Sequence, residues 1–230
     1  MKSLIPPAVV FVLAAGMPGS PEDRSGDPPV VQVRDSSAVL AEDFSAGWED
    51  RWTEERLDSR RTEYGVFADD GNPVLMASSQ RSASALTRTL PPGGDDAVRV
   101  SWRWKVAGTV EGDHDERERG GDDYAARVFV IFGSGGFASA EAALSYVWAS
   151  SEPRGTVYRN PYVKNVATVV LRTGDDRAGQ WISEERKVMA DYRRAFGQEP
   201  DPVSALALMV DTDDTGSEAT AWFDDVVVRR

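Results

Sequence analysis

Apolar and polar positions alternate most clearly over residues 98–106, where Val98, Val100, Trp102, Trp104 and Val106 share one face and Arg99, Ser101, Arg103 and Lys105 share the other. A period of two predicts a strand with one face buried and one in water. The two Trp lie with three Val, so they are expected in a core and not against a ligand. A second pattern is the unbroken apolar run 128–132, bracketed by Gly120-Gly121 and Gly133. Its residues all favour β-structure, which predicts a central strand covered on both faces. Arg127 stands at the start of this run, with Asp122 and Asp123 shortly before it. A guanidinium at the mouth of a buried strand needs an acidic partner. Asp122 and Asp123 are the local candidates, Asp191 and Asp211 the distant ones.

The remaining elements are short. Asp69-Asp70-Gly71-Asn72-Pro73 separates 64–68 from 74–77 as the turn of a hairpin. Further strands are expected at 84–90, 144–148, 166–171, 205–210 and 220–228, and "GQWISEERKV" places Ile182, Glu184, Arg186 and Val188 on one face. "MADYRRAFG" predicts a single short helix near 189–196, because Tyr192 and Phe196 stand four apart and Gly197 supplies a stop. Short strands with frequent turns, one helix and no βαβ rhythm predict an all-β fold, an antiparallel two-sheet β-sandwich of jelly-roll or galactose-binding-like type.

The first 38 residues do not fit that scheme. Lys2, the apolar stretch 4–15 and the small residues Ala14-Ala15-Gly16 read as an export signal over 1–16, cleaved after Gly16. The alternative is a short anchor that is retained, although the stretch falls below the ~20 residues that span a bilayer. Residues 17–38, with "MPGSPEDRSGDPP", read as a flexible linker in which 30–33 can add an edge strand. The domain is then 39–230, and the expected location is periplasmic or secreted. No later stretch is long and apolar enough to cross a membrane.

Composition narrows the chemistry. A formal charge of -12 with no basic stripe argues against nucleic acid, whose binding relies on clustered Lys and Arg. The absence of Cys excludes thiolate metal sites and cysteine nucleophiles, and a single His, His114, excludes imidazole clusters. His114 sits in the charged loop "EGDHDERERGGDD", where a solvated side chain is the expected state. Between the last two strands, "DTDDTGSEA" offers Asp211, Asp213 and Asp214 as oxygen ligands for calcium. Its twelfth position is Trp222 where a helix-loop-helix calcium site has Glu, and Asp and Gly also dominate hairpin turns for backbone reasons. No cofactor is required by the sequence. The segment 158–164 brings together Tyr158, Arg159, Asn160, Tyr162 and Lys164, flat rings mixed with hydrogen-bonding groups. With Asp122, Asp123 and Arg127, the residues Tyr158, Asn160, Tyr162 and Lys164 form the candidate ligand site.

Three stretches, "VSWRWKV", "GGDDYAARVFVIF" and "ADYRRAFG…LALMVDTDDTGSEATAWFDDVVV", resemble the bacterial domain-of-unknown-function family 3047 over nearly all of 44–228. The closing "AWFDDVVV" is also similar to the last strand of jelly-roll carbohydrate-binding and galactose-binding-like domains. The family resemblance implies an exported protein and supplies no catalytic residues. Three functions stand open. The first is a non-catalytic module binding a glycan or similar envelope ligand. The second is a structural or assembly domain of the envelope. The third is a polysaccharide hydrolase or lyase drawing two carboxylates from Asp122, Asp123, Glu184, Asp191 and Asp211.

Overall fold

The computed structural model describes residues 38–93, 98–134, 137 and 140–230; the expected export signal and the linker up to residue 37 lie outside the described residues. The chain forms β1 (Ala38–Glu42), β2 (Thr53–Arg56), β3 (Glu63–Asp69), β4 (Asn72–Gln80), β5 (Ala83–Thr89), β6 (Arg99–Val106) and β7 (Tyr124–Phe132). There follow β8 (Ala142–Ala149), β9 (Val157–Arg159), β10 (Val166–Thr173), β11 (Ile182–Lys187), helix α1 (Val188–Phe196), β12 (Val203–Asp211) and β13 (Glu218–Arg229). The β3–β4 hairpin closes through Asp70 and Gly71, both at positive φ (52° and 82°), the geometry that suits strand twist and that Gly adopts freely. Helix α1 ends where Gly197 turns left-handed and its N–H meets the Arg193 carbonyl.

Two sheets pack face to face. One runs β11-β6-β13-β4-β3, with β1 also paired to β13; the other runs β2-β5-β12-β7-β8-β10-β9. β13 serves two partners along one edge, β4 with residues 218–223 and β1 beyond them, and the change of partner falls at a bulge where Asp225 has φ 50°. All pairings are antiparallel except β8 with β10, which is parallel. The cause is β9: it runs back along the outer edge of β10, so the chain re-enters the sheet in the direction of β8. The all-β sandwich with one helix therefore holds, with one parallel pair inside it.

Between the sheets, Trp102 and Trp104 are fully buried, as their alternation predicts. They meet edge to face at 5.5 Å, and extend to Tyr146 at 5.5 Å and Trp148 at 5.9 Å. β7 is buried along its whole length. Val128, Val130 and Phe132 enter this main core, while Phe129 and Ile131 point out of the sandwich. There they pack with Ala83, Ala85, Ala143, Ala205, Ala207 and Met209 in a separate small cluster. The alanines are the reason a hollow exists on that outer face: they pave the sheet without filling the space above it.

Candidate functional site

Above this paved face lies a cleft of about 470 Å³. Leu57, Ala83, Phe129, Phe137, Ala140, Ala143, Val163, Val166 and Met209 give it an apolar part, and Asp122, Arg127, Asn160, Asp211, Asp213 and Asp214 gather with Tyr162 at its polar end. Phe137 meets Phe129 edge to face at 4.8 Å, forming one wall.

Arg127 anchors the polar end. It faces outward from β7 beside Met209 of β12, and it is 3% exposed. Its Nε donates to Asp211 Oδ1 at 2.8 Å, its Nη2 lies 2.6 Å from Asp211 Oδ2, and it also donates to the Asp122 carbonyl. The Tyr124 ring lies under the guanidinium, 4.2 Å away. The partner is thus the distant Asp211, with local Asp122 second at 3.4 Å. Burial alone would pull the Arg127 pKa down; the charges of Asp122 and Asp211 outweigh it and raise it. Burial pushes Asp122 and Asp211 up, and the one guanidinium they share offsets only part of that.

The loop from β12 to β13 forms the next part of the wall. Asp123 is fully buried and holds this loop: it accepts from Asp214 N at 3.3 Å and from Thr215 N and Oγ1 at 2.6 Å each. This leaves Asp213 and Asp214 turned to the cleft. Asp213 is pushed up to about 6 by partial withdrawal from water and then by the neighbouring charges of Asp123 and Asp214, an effect limited by the solvent it still touches. Asp214 is raised by burial and by Asp123 and Asp122, with a hydrogen bond from Tyr162 acting against the rise. Of the three expected calcium ligands, Asp211 and Asp213 come together and Asp214 turns instead to Tyr162; the carboxylates within 4.8 Å of one another are those of Asp123, Asp211 and Asp213.

Asn160 shapes the opposite rim. Its Nδ2 donates to Asp122 Oδ2 at 2.6 Å, and its Oδ1 accepts from Tyr162 N and Val163 N at 3.0 Å, an Asx-type turn that lifts residues 162 and 163 outward. The Tyr162 hydroxyl is shared between the Arg119 carbonyl at 2.9 Å and the Asp214 carboxylate, with the Arg119 guanidinium 5.0 Å from the ring. Of the seven residues expected at a ligand site, Asp122, Arg127, Asn160 and Tyr162 line the cleft. Asp123 stands behind the loop it holds. Tyr158 turns inward, its hydroxyl against that of Tyr124 and its ring near Arg117, and Lys164 is exposed to solvent away from the cleft lining. Leu57, Phe129, Phe137 and Met209 were not anticipated. Only Phe129 had a signal, because a strand apolar at every position must expose half its side chains to something other than the main core.

Other polar groups named for catalysis are committed elsewhere. Asp191 takes two hydrogen bonds from Arg186 (2.7 and 2.8 Å) and one from Tyr146 (2.8 Å), which ties α1 to the core, and Glu184 accepts from Arg172 at 2.6 Å. His114 lies by a separate hollow with Gly108, Gly112 and Asp175, and neither ring nitrogen has a hydrogen-bond partner among the described residues. On the outer face of the other sheet, Lys105 Nζ sits 5.1 Å from the Trp181 ring and 4.7 Å from Trp222, so these indoles carry a cation of the chain itself.

No curated protein matches the chain. Among solved structures it is similar to the enzymatically active domain of tailspike protein 4 from bacteriophage CBA120 (TM-score 0.46, 9% identity), over 84% of this chain and 21% of that one. The chain thus spans about a fifth of the tailspike chain's length. It is also similar to the K3 cleaved adhesin domain of Lys-gingipain from Porphyromonas gingivalis (TM-score 0.45, 18% identity, 84% and 99% covered). A third is the family 11 carbohydrate-binding module of the cellulosomal cellulase Lic26A-Cel5E of Clostridium thermocellum (TM-score 0.45, 11% identity, 84% and 96% covered). Residues 50–227, from just before β2 into β13, match the family described as protein of unknown function (DUF3047), and the chain belongs to that family.

Proposed function

We propose that this protein is an exported, non-catalytic module of the cell envelope that binds a glycan in the cleft on the outer face of the β12–β7–β8 sheet. The observation that carries the reading is the Tyr162 ring, 45% exposed at the rim of that cleft. Four large apolar side chains are that open among the described residues, and three of them, Leu57, Tyr162 and Val163, line this one hollow. Exposed apolar surface concentrated at a concave site marks a binding surface. A sugar ring offers an apolar face and a rim of hydroxyls, and the cleft offers Phe129, Phe137 and Met209 beside the carboxylates of Asp213 and Asp214.

The carboxylates favour binding over hydrolysis. Those lining the cleft come from two adjacent segments, residue 122 and residues 211–214, and they bunch at one end, whereas glycosidases place their acids on both sides of the scissile bond. Export is supported by the pattern of residues 1–16, and no helix among the described residues is long and apolar enough to cross a membrane. Affinity electrophoresis against a panel of soluble polysaccharides tests the reading. Retardation by at least one glycan is expected, and Tyr162→Ala should weaken it about tenfold while leaving the circular dichroism unchanged. Retardation by none would refute it, and sugar release during incubation would favour the hydrolase.

A further inference from the structure

In a chain with a net charge of -12, a patch of exposed arginines without acids is a departure. One lies along the seam between edge strand β9 and helix α1. Arg159 closes an aromatic column that rises from the core: Phe132 and Tyr192 are 4.6 Å apart, Tyr192 and Phe196 stack at 4.4 Å, and the Arg159 guanidinium lies 4.0 Å from the centre of the Phe196 ring. Arg159 donates no side-chain hydrogen bond to any described residue, so its plane is supported while its N–H groups stay free. Arg194, on α1, crosses the same seam and is tethered by one bond, from Nη2 to the Gly155 carbonyl at 3.2 Å. Arg154 stands beside Gly155. All three arginines are exposed, and none has an acid within ion-pair distance among the described residues. The acids of the flanking segments are already taken: Asp191 by Arg186, Glu199 by Arg193 and Glu152 by Arg117. Discouraging strand pairing at the β9 edge needs charge alone, and does not call for guanidiniums fixed by an aromatic column and a carbonyl.

We propose that the β9–α1 seam binds a linear acidic polysaccharide through carboxylates on its sugars. This surface is separate from the cleft and does not rest on the reading of it. A guanidinium presents a planar fork that takes a carboxylate with two parallel bonds, and a fork already stacked or tethered loses less freedom in doing so. The size of the patch selects the partner, since it spans one strand of three residues and one helix of nine. A flat anionic membrane would bring the rest of an acidic protein within a screening length, about 8–10 Å at ordinary salt, of its own charge. A single polymer strand follows the seam and avoids that repulsion. A uronate carboxylate is fixed to its ring, so binding it immobilises less than binding the flexible side chains of an acidic peptide.

Calorimetric titration with a galacturonate octamer and with the same octamer methyl-esterified, which masks its charges, decides the matter. The acid should bind at least about tenfold tighter than the ester, and its affinity should fall as salt is raised. The double variant Arg159→Gln, Arg194→Gln should lose about tenfold with its circular dichroism unchanged, and Arg159→Lys, which keeps the charge without the fork, should lose part of that. Arg60→Gln removes the same charge just after β2, at the far edge of the same sheet, and should leave binding unchanged, as should Tyr162→Ala in the cleft. No binding of the acid, or equal binding of acid and ester, would overturn the proposal and leave the cleft reading untouched. Equal losses from Arg60→Gln would overturn it by making net charge the cause, and loss in Tyr162→Ala would do so by moving the polymer to the cleft. Capture by phosphatidylglycerol vesicles or by a DNA duplex, with no binding of the octamer, would give the seam to a different polyanion.

Discussion

Replacing Arg127 by Met would leave Asp122 and Asp211 buried side by side with no countercharge, and a buried charge stripped of its partner costs about 3–5 kcal/mol. A loss of that size in urea unfolding is expected for Arg127→Met. Adding Asp211→Asn should restore a large part of it, since the double variant no longer buries an unpaired ion. At this scale the sequence revealed that Arg127 needs an acid and placed Asp211 among the candidates, because an apolar run does not tolerate a lone guanidinium. It did not reveal that Asp123 would be consumed by backbone amides, or that Tyr158 would turn inward while Tyr162 turned out. Both depend on loops that meet only after folding, and the side chains in those loops obey no period.

Asp123 acts at the scale of an element. It lies before β7, yet its carboxylate fixes the 214–215 backbone of the β12–β13 loop, some 90 positions further along. Asp123→Ala should cost about 1–3 kcal/mol, the penalty for leaving two half-buried amides and the Thr215 hydroxyl without their acceptor. Hydrogen exchange should quicken at Asp214 and Thr215 while the β7 and β12 amides stay protected. Equal loss of protection in the strands would mean that Asp123 supports the sheet and not the loop. The strands themselves were legible: β6 from its alternation, the β3–β4 hairpin from Asp-Asp-Gly-Asn, α1 from Tyr192, Phe196 and Gly197. The parallel β8–β10 pair was not. Three residues of β9 reverse the chain direction, and so short an edge strand leaves no pattern to read.

For the molecule as a whole, the acidic end of the cleft gives an unusual dependence on pH. Asp122, Asp211, Asp213 and Asp214 all have pKa values raised in the folded state, Asp213 to about 6. A carboxyl raised by folding stabilises fully below its unfolded value, and that stability is lost as pH rises through the folded value. Carboxyls lowered by folding, such as Asp43, Asp69 and Glu199, act the other way, and their contribution is lost only as pH falls below the ordinary carboxylate range. The melting temperature should therefore rise between pH 7 and about pH 5 before falling in stronger acid. Asp213→Asn should raise it at pH 7 and flatten this rise. A melting temperature that falls steadily from pH 7 downward would show that repulsion within the cluster is already relieved in the folded protein.

The sandwich is legible in the order of residues, because strand periodicity, turn chemistry and a fully apolar central run are local properties that report burial directly. That order also marks most of the polar residues that matter, Asp122, Arg127, Asn160, Tyr162 and the 211–214 acids, since charged and aromatic groups stand out against apolar strands. Their convergence on one cleft arises only when the chain folds. Asp122 and Arg127 stand just before and within β7, Asn160 and Tyr162 on the β9–β10 connection, and the 211–214 acids at the end of β12 and in the loop after it; sheet order sets β7 beside β12, and the loop contacts of Asn160 with Asp122 and of Tyr162 with Asp214 bring in the third segment. The apolar side of the cleft arises in the same way. Alanines at 83, 85, 143, 205 and 207 look unremarked in the sequence, and they become the paving of a hollow only once three strands, β5, β8 and β12, set them on the same outer face.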